Sequence, residues 1–266
     1  MDNKKLLILG CGWVGKITAD LFLEKNFEVW GTTTQEGKIP ELREKDIRPI
    51  LLDLFNENGA QKALIELEKE TFDLILISIP VKRNEDPVQC LSKFEKLAEL
   101  LAKINYKQII YLSSIGVYEP INGIITEDSH VKKTGSIFLM QEYLSKRFID
   151  LITLRLGGLF GFGRIPGRYF SNKVCTVGHE KANYIHGTDV ANVIFEIWDK
   201  DIEPAVYNAV APLHPLKKDI YERMSEKYDF PPVLYSEGIS NQKEVSSKKL
   251  IDALDYKFKM PSPLEF

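Results

Sequence analysis

The stretch KKLLILGCGWVG, residues 4–15, places three glycines in the spacing G-x-G-x-x-G directly behind an apolar run. The run predicts a buried β-strand over Leu6–Gly10, because near-continuous apolar sequence is typical of parallel strands covered on both faces. The residues that follow, Val14–Glu24, have the apolar spacing of an amphipathic helix. A strand, a glycine turn and a helix in this order predict a dinucleotide-binding unit, and the alternative is a tight turn that binds nothing.

Each glycine of the turn meets a different steric requirement of a bound dinucleotide. Gly10 permits the tight turn, Gly12 lets a pyrophosphate approach the main chain, and Gly15 lets the helix pack closely on the strand. The N-terminus of the helix presents backbone N–H groups and the positive end of its dipole to the phosphates. We therefore expect these glycines, with Trp13 and Val14 between them, to form the cofactor turn.

Apolar strands alternate with amphipathic helices up to Leu156, which predicts an α/β fold with a Rossmann-type doubly wound parallel sheet. The expected strands are Leu6–Gly10, Phe27–Thr33, Arg48–Asp53, Leu74–Ile79, Gln108–Ser113 and Leu151–Leu156. The expected helices between them are Val14–Glu24, Glu57–Lys69, Val88–Ile104 and Ile137–Arg147.

The alternation of apolar strands and amphipathic helices ends after Leu156, where glycines cluster. Residues 1–160 are predicted to form the NAD(P)-binding Rossmann domain. Residues 161–266 are predicted to form a small C-terminal substrate lobe, from which a segment of about 184–210 returns to the first domain. The expected later elements are the helices Thr188–Trp198, Leu216–Lys227 and Ser246–Leu254 and the strand Ala205–Val210.

The composition is that of a globular protein, without the clustered positive charge that is typical of nucleic-acid-binding proteins. The chain has 266 residues, 44% hydrophobic and 27% charged, and a net charge of −3 with both signs interspersed. No apolar stretch has the length of a membrane span or a signal peptide, so neither a membrane nor a nucleic acid is an expected partner. Three cysteines without pair spacing indicate a cytoplasmic location, and four histidines without ligand spacing indicate no metal site.

The end of the second predicted strand favours NADP over NAD. An acid commonly holds the adenosine ribose at this place, but the sequence here is Thr32-Thr33-Thr34. Three hydroxyls and the nearby Lys38 can bond a 2′-phosphate without repelling it. The alternative is that threonines suit the end of a strand.

Further cofactor contacts are expected where other predicted strands end. Asp53 can accept a hydrogen bond from the adenine amino group or cap the next helix. Ile79 and Pro80 provide backbone and an apolar wall, or the proline merely ends the strand. Ser113 and Ser114 emerge where the nicotinamide is expected, placed to bond a substrate oxygen.

Four motifs together resemble the extended branch of the short-chain dehydrogenase/reductase superfamily, which contains NAD-dependent epimerases and dehydratases. They are GCGWVG, LSSIGVY, LRLGGLFGFGR and NYIHGTDVA. The resemblance implies that Ser114 is the catalytic Ser/Thr and that Gly158 lies on the nicotinamide side. It also implies that His186 and Asp189 belong to a segment that packs the return helix.

The chain departs from that family at its acid/base pair, Tyr-x-x-x-Lys. Counting back from Glu142, which resembles the glutamate after that motif, the tyrosine position falls at Thr134 and the lysine position at Phe138. A threonine hydroxyl is too weak an acid and phenylalanine supplies no cation to lower its pKa. A displaced pair, Tyr143 with Arg147, is the less favoured alternative. The resemblance therefore implies an atypical member.

Other candidate functional residues lie away from the acid/base positions. Tyr118 follows Ser114 by four residues and can substitute as the acid/base or pack under its loop. Arg164 and Arg168 follow the glycine cluster and can bind a phosphate or carboxylate of the substrate through two hydrogen bonds each, or remain solvated.

The sequence supports two hypotheses from different classes. The first is an NAD(P)-dependent oxidoreductase or epimerase acting on a small molecule, such as a sugar nucleotide. The second is a non-catalytic NAD(P)-binding sensor or partner-binding protein. A methyltransferase that uses S-adenosylmethionine fits the glycine turn but leaves LSSIGVY and IHGTDVA unexplained. The predicted helices Val88–Ile104 and Ile137–Arg147 stand where many relatives form a homodimer. The alternative is that the apolar residues of the first helix, Leu91, Phe94, Leu97 and Leu101, only face the sheet.

Overall fold

The computed structural model describes residues 4–81, 86–236 and 242–266. The strands are β1 Lys5–Leu9, β2 Glu28–Thr33, β3 Arg48–Leu51, β4 Thr71–Phe72, β5 Leu74–Ile77, β6 Asn105–Tyr106, β7 Ile109–Ser114, β8 Gly123–Ile125, β9 Leu151–Leu156, β10 Gly158–Phe160, β11 Val174–Cys175, β12 Tyr184–His186, β13 Val206–Ala209, β14 Leu234–Tyr235 and β15 Lys243–Val245. The helices are α1 Trp13–Glu24, α2 Ile39–Glu44, α3 Glu57–Leu67, α4 Pro87–Leu101, α5 Ser136–Arg147, α6 Gly187–Lys200, α7 Lys217–Lys227 and α8 Lys248–Leu254.

The main sheet has seven strands in the order β13-β9-β7-β5-β1-β2-β3. Its central pairs are parallel, with Leu6 opposite Val29 on one side and Leu74 on the other. The order reverses at β1, and in doubly wound sheets ligands bind at such a switch point, outside the carboxyl ends of the strands. This is the predicted α/β Rossmann-type sheet, and the glycine turn follows its first strand.

The core explains why the central strands are apolar throughout. The side chains of Leu6 to Leu9 are fully buried, as are those of Leu74 to Ile77, because helices cover both faces of the sheet. Trp30 packs edge-to-face on Phe72 with ring centroids 5.6 Å apart, and the Arg48 guanidinium lies 3.8 Å from the Trp30 ring centroid. These contacts hold β2, β3 and β4 together.

The chain divides by its contacts into two compact units. The first contains Met1–Val117, Lys132–Leu154 and Ala191–Val206. The second contains Tyr118–Val131, Arg155–Val190 and Tyr207–Phe266.

The second unit is built from short parallel pairs and a small core of its own. The pairs are β8 with β15, β10 with β12 and β11 with β14. Asn183 joins two of them, since its amide accepts a 2.6 Å hydrogen bond from Val245 N and donates a 2.8 Å bond to Lys243 O. Cys175, Ile220, Tyr221 and Met224 are at the centre of its core.

The predicted long elements of the first unit are confirmed within a few residues at their ends. Helix α2 and the two-residue strands β4 and β6 were not expected, because elements this short carry too few residues to show a period. None of the helices in the described ranges is both long and apolar enough to span a membrane.

Candidate functional site

The glycine turn lies against the end of β5. Gly10 has a φ of +86°, and a Cβ there would lie 3.1 Å from Ser78 O and 3.2 Å from Ile79 N. Gly15 is equally confined, since its Cβ would lie 3.0 Å from the Ile8 Cγ2 methyl. Gly10 and Gly15 are therefore required by the fold of the turn itself.

Gly12 is the exception in this turn, because the protein leaves space at its Cβ position. Apart from its two chain neighbours, the nearest atom would be Gly10 O at 3.9 Å, although the backbone angles of Gly12, φ −90° and ψ −145°, lie outside the α and β regions. Gly12 N donates a 2.7 Å hydrogen bond to Gly10 O, which tightens the turn. The missing side chain thus leaves an opening that the neighbouring described residues do not fill.

The opening lies at the N-terminus of α1. Gly12 is the N-cap residue of this helix, no described side chain caps it, and its first turn carries no acidic residue. Trp13 is half-buried there, whereas Val14 is buried. An uncapped helix N-terminus without a carboxylate attracts anions through its N–H groups and dipole.

The threonines at the end of β2 have different roles. Thr32 and Thr33 are buried, and each hydroxyl oxygen already accepts a backbone N–H, from Gly10 at 2.8 Å and from Gln35 at 3.2 Å. Thr32 therefore holds the glycine turn in place. Thr34 alone is exposed among the three, and Lys38 follows it, also exposed.

The other cofactor candidates of the first unit end neighbouring strands. Asp53 is exposed and its carboxylate accepts a 3.0 Å hydrogen bond from Phe55 N. The alternative that Asp53 caps α3 is wrong, since Asn56 is the N-cap residue and accepts from Gly59 N at 3.1 Å. Ile79 is half-buried with its backbone against Gly10, and Pro80 is exposed.

Ser113 and Ser114 close β7 with different surroundings. Ser113 is buried and donates a 3.2 Å hydrogen bond to Gln141 Oε1. Ser114 is half-buried, and its oxygen accepts a 3.1 Å hydrogen bond from Gly116 N, an arrangement in which the hydroxyl acts as acceptor. A Cβ on Gly116 would lie 3.3 Å from both Ser114 Oγ and Ile137 Cδ1, so the start of α5 packs close to Ser114.

The structure gives no acid/base pair at the positions inferred from the resemblance. Thr134 is exposed in the turn before α5, and Phe138 is half-buried within its first turn. The displaced pair is also unsuited, because Tyr143 lines a groove with residues of α4 and the Arg147 guanidinium lies 4.8 Å from its ring centroid.

Tyr118 lies in the second unit and is buried in a polar network. Its hydroxyl donates a 2.7 Å hydrogen bond to Asn208 Oδ1 and accepts a 2.7 Å bond from Arg155 Nη1. Burial raises the pKa of this phenol, although Arg155 acts in the opposite direction. Only 2% of the residue is exposed, so the geometry favours the packing alternative.

The remaining candidates also belong to the second unit. Gly158 lies under Tyr184, where a Cβ would be 2.4 Å from the ring, so its lack of a side chain is explained by packing. Arg164 is exposed, and partial burial lowers the pKa of its guanidinium from the ordinary value. Arg168 is exposed with its guanidinium 5.7 Å from the Phe230 ring centroid.

Two buried charged residues were not among the expected functional residues. Arg155 interrupts an apolar strand, which is itself a signal of a buried polar network, and it is 4% exposed. Asp189 is fully buried and accepts hydrogen bonds from Tyr256 Oη, Lys259 N and Met260 N. Asp189 therefore anchors the chain near residue 260, a contact that its motif did not reveal.

Neither a metal centre nor a reactive thiol emerges from the geometry. In the parts of the chain that the structure describes, no group of three or more His, Cys, Asp or Glu side chains is placed to hold a metal ion. Burial raises the pKa of the Cys11 thiol to about 12. Its side chain fills the space beside Gly31, where a Cβ would lie 3.0 Å from Cys11 Cβ.

The sheet order and the position of the glycine turn are those of a Rossmann-type α/β fold, as the sequence predicted. Among solved structures, the chain is similar to the UDP-Glc/GlcNAc 4-epimerase of Campylobacter jejuni, with 16% identity, a TM-score of 0.80 and coverage of 99% of this chain and 96% of the other. It is also similar to the dTDP-glucose 4,6-dehydratase of Bacillus anthracis in complex with NAD, with 13% identity, a TM-score of 0.78 and coverage of 98% and 94%.

Among curated proteins, the chain is 25% identical to Protein YeeZ of Escherichia coli strain K12 over 275 residues, which covers 98% of each chain. No model of a protein family matches the chain. At these identities the similarity to solved structures establishes the fold.

Proposed function

We propose that this protein is an NAD(P)-binding oxidoreductase or epimerase of the extended short-chain dehydrogenase type. The observation that carries the proposal is the opening at Gly12. Apart from its two chain neighbours, a Cβ there would meet no protein atom closer than 3.9 Å, so the missing side chain leaves space beside the turn that a ligand can occupy. We expect that ligand to be negatively charged, because the uncapped N-terminus of α1 attracts anions.

The residues of the first unit fit a dinucleotide. Gly10, Gly12 and Gly15 would hold the pyrophosphate, with Trp13 and Val14 on the helix. Asp53 would accept from the adenine, and Ile79 and Pro80 would line the ribose, because they end β-strands next to the turn. When bound, the nicotinamide supplies the hydride transfer.

Ser114 is the residue that we assign to the substrate oxygen. Its half-buried hydroxyl ends β7 and accepts from Gly116 N, which fixes the direction of the hydroxyl group. Thr134 is exposed beside the start of α5 and offers a second hydroxyl, but Phe138 provides no charge to activate it. Orientation and hydrogen bonding are thus the contributions of this chain, and any proton transfer by it is weak.

The preference for NADP rests on fewer groups than the sequence indicated. Two of the three threonine hydroxyls are engaged with the backbone, so Thr34 and Lys38 are the groups that we assign to a 2′-phosphate. One charge-assisted hydrogen bond from these two groups to the 2′-phosphate should make the Kd for NADPH about tenfold lower than the Kd for NADH. The substitution Lys38→Glu should reverse this preference, so that NADH binds more tightly than NADPH.

Fluorescence titration with NADPH and NADH tests the cofactor proposal. Trp13 lies in the phosphate turn, so its emission should change on binding, whereas Trp30 is buried and Trp198 packs on Phe27 at 4.7 Å. Trp13→Phe is the matched control, since it should keep the affinity measured by calorimetry but lose most of the fluorescence response. Absence of binding of both nucleotides by calorimetry would refute the proposal.

A second candidate function is a non-catalytic NAD(P)-binding sensor or partner-binding protein. The structure favours it at one point, because Thr134 and Phe138 occupy the acid/base positions and Tyr118 is buried with its hydroxyl bonded to Asn208. Turnover of NADPH against a panel of carbonyl compounds and sugar nucleotides separates the two candidates. Hydride transfer that Ser114→Ala reduces by about a hundredfold would exclude the sensor.

We assign a small-molecule substrate of sugar-nucleotide type to the second unit. Arg164 and Arg168 are both exposed there, four residues apart. Guanidinium groups bind phosphate through paired hydrogen bonds, which a sugar nucleotide offers twice. The assignment predicts that Arg164→Gln and Arg168→Gln each weaken substrate binding without changing NADPH affinity.

We also propose that the protein forms a homodimer through α4 and α5. An apolar groove between these helices is lined by Pro87, Val88, Leu91, Leu139, Met140, Glu142, Tyr143 and Lys146. Val88 is 74% exposed and Leu91 37% exposed, whereas Glu142 and Lys146 form an ion pair of 3.4 Å at its edge. A two-fold axis brings such a patch against itself, so that its apolar residues and its opposite charges meet their counterparts.

Light scattering after size-exclusion chromatography tests the dimer. Val88→Asp should convert it to a monomer, because the substitution places a charge in an apolar interface. Ile149→Asp is the matched control, since Ile149 is 93% exposed and lies outside the groove. A parent protein that is monomeric at all concentrations tested contradicts the proposal. We separately propose a cytoplasmic location, in keeping with three cysteines that are all buried.

A further inference from the structure

A two-residue turn in the second unit carries an aromatic residue at a strained position. Gly161 and Arg164 exchange two backbone hydrogen bonds, of 3.0 and 2.9 Å, around Phe162 and Gly163. The central residues Phe162 and Gly163 have φ angles of +46° and +84°. Two positive φ values in this arrangement define a type I′ turn.

The choice of Phe162 is costly for the fold. Type I′ turns strongly prefer asparagine, aspartate or glycine at this position, because these residues tolerate positive φ. A bulky residue with positive φ is strained. Phe162 remains 58% exposed, so burial of its ring does not compensate for the strain. Strain of this kind persists at sites that need the side chain for something other than folding.

The ring of Phe162 is held in a defined orientation. It lies against the His186 ring with centroids 5.4 Å apart and planes inclined at 31°. His186 is itself fixed, because its Nδ1 accepts from Thr188 N at 3.2 Å and its ring packs edge-to-face on Phe160 at 5.1 Å. Gly161 lies so close to His186 Nε2 that a Cβ would be 2.2 Å away, which anchors the turn on the imidazole.

Two cations belong to the same segment. Arg164 closes the turn that presents Phe162, and Arg168 begins the next helical turn, and both are exposed. An exposed aromatic ring binds the face of a planar heterocycle, and guanidinium groups bind phosphates. A ring and two guanidinium groups within one segment match a ligand that is itself a planar base linked to phosphates.

We propose that Phe162 is a stacking platform for the base of a nucleoside diphosphate, whose phosphates bind Arg164 and Arg168. The proposal rests on the proposed function for the substrate class and adds the residue that recognises the base. Because stacking is tolerant of base identity, the platform supplies affinity and leaves the choice of base to other residues.

Calorimetry with four probes, UDP, dTDP, GDP and CDP, in the presence of NADPH tests the proposal. We expect at least one to bind, and Phe162→Asn to weaken its binding by about tenfold or more, as loss of a base–aromatic stack does. Phe162→Trp should retain the affinity. Because asparagine is the residue that the turn prefers, Phe162→Asn should unfold at a temperature equal to or above that of the parent, which separates lost stacking from lost folding.

Matched controls separate this inference from the cofactor proposal. Tyr169→Asn removes another exposed aromatic ring, one that packs on Phe170 at 5.3 Å, and should leave nucleotide affinity unchanged. NADPH affinity should be equal in all these variants.

Binding of NADPH without binding of any of the four diphosphates would overturn the proposal that Phe162 is a stacking platform and leave the cofactor proposal intact. Equal affinity of parent and Phe162→Asn, or pyrophosphate binding as tight as that of the diphosphates, would also overturn it. Diphosphate binding through Phe162 without NADPH binding would overturn the cofactor proposal instead.

Discussion

Replacement of Gly12 by serine should weaken cofactor binding in a protein that remains folded. Apart from its two chain neighbours, a Cβ at Gly12 would meet no protein atom closer than 3.9 Å, and the backbone angles are φ −90° and ψ −145°. Gly12 is the N-cap of α1 and no described side chain bonds the first turn. Serine is among the best N-cap residues, but this backbone lies outside the extended region that N-caps normally adopt, so we expect the free energy of unfolding to fall by about 1 kcal/mol.

The same side chain should block the pyrophosphate. It would occupy the space through which a phosphate approaches the N-terminus of α1, and its hydroxyl would bond the N–H groups that attract the anion. Loss of one charge-assisted hydrogen bond costs about 2 kcal/mol, roughly a thirtyfold increase in Kd. Gly12→Ser is therefore predicted to weaken NADPH binding by far more than its small loss of stability explains, as calorimetry on the folded protein would measure.

Two further variants calibrate the experiment. Gly10→Ala should lower the melting temperature by several degrees, because the residue has a φ of +86° and its Cβ would lie 3.1 Å from Ser78 O. Gly135→Ser makes the same exchange at the N-cap of α5, which also lacks a side-chain cap, and should keep NADPH affinity. A Gly12→Ser protein that binds NADPH as tightly as the parent would refute the pyrophosphate assignment.

Three other predictions concern stability and reactivity. Asp189→Asn should lower the free energy of unfolding, measured by urea denaturation, by about 2 kcal/mol, because the buried carboxylate accepts three hydrogen bonds. The control is Asp252→Asn at an exposed ion pair, which should change this free energy by less than about 0.5 kcal/mol. Burial lowers the pKa of His186 in the folded state from 6.5, so the unfolded state takes up its proton first. Stability should therefore decline as pH falls below 6.5, by an amount that His186→Phe removes, as followed by melting temperature against pH. Cys11 should not react with a thiol reagent at about pH 8 until the protein unfolds, because burial raises its pKa to about 12.

The sheet was predictable because its strands and helices are long and consistently patterned. Buried parallel strands such as β1 and β5 are apolar at every position, which only a sheet covered on both faces requires. The short pairs of the second unit were not predictable in this way. Residues 158–160 and 184–186 form β10 and β12, and three residues show no period. Their pairing depends on Asn183 and on Gly158, whose contacts are far apart in sequence.

The candidate site shows the same division between local and long-range information. The glycine turn is encoded within a few residues, and its geometry follows from the strand that precedes it. The role of Thr32 depends on Gly10, 22 residues earlier, and that of Tyr118 on Asn208, 90 residues later. Sequence patterns identify which residue types stand at a strand end, but the hydrogen-bond partners decide which of them remain available to a ligand.

Under the proposed function, the residues Thr134 and Phe138 at the acid/base positions determine how the reaction rate depends on pH. Oxidation of an alcohol requires removal of its hydroxyl proton, and burial raises the pKa of Tyr118, so this phenol does not supply a base at neutral pH. Reduction of a carbonyl, with the hydride that NADPH would supply, consumes one proton, which water can deliver to an oxygen held by a hydrogen-bond donor. Ser114 can donate its hydroxyl proton while its oxygen still accepts from Gly116 N. We therefore expect reduction with NADPH to be measurable near pH 7 and alcohol oxidation to appear only as hydroxide concentration rises. A rate of oxidation that levels off near neutral pH would show that a base of lowered pKa exists and that Ser114 and Thr134 are not the only groups that act on the substrate oxygen.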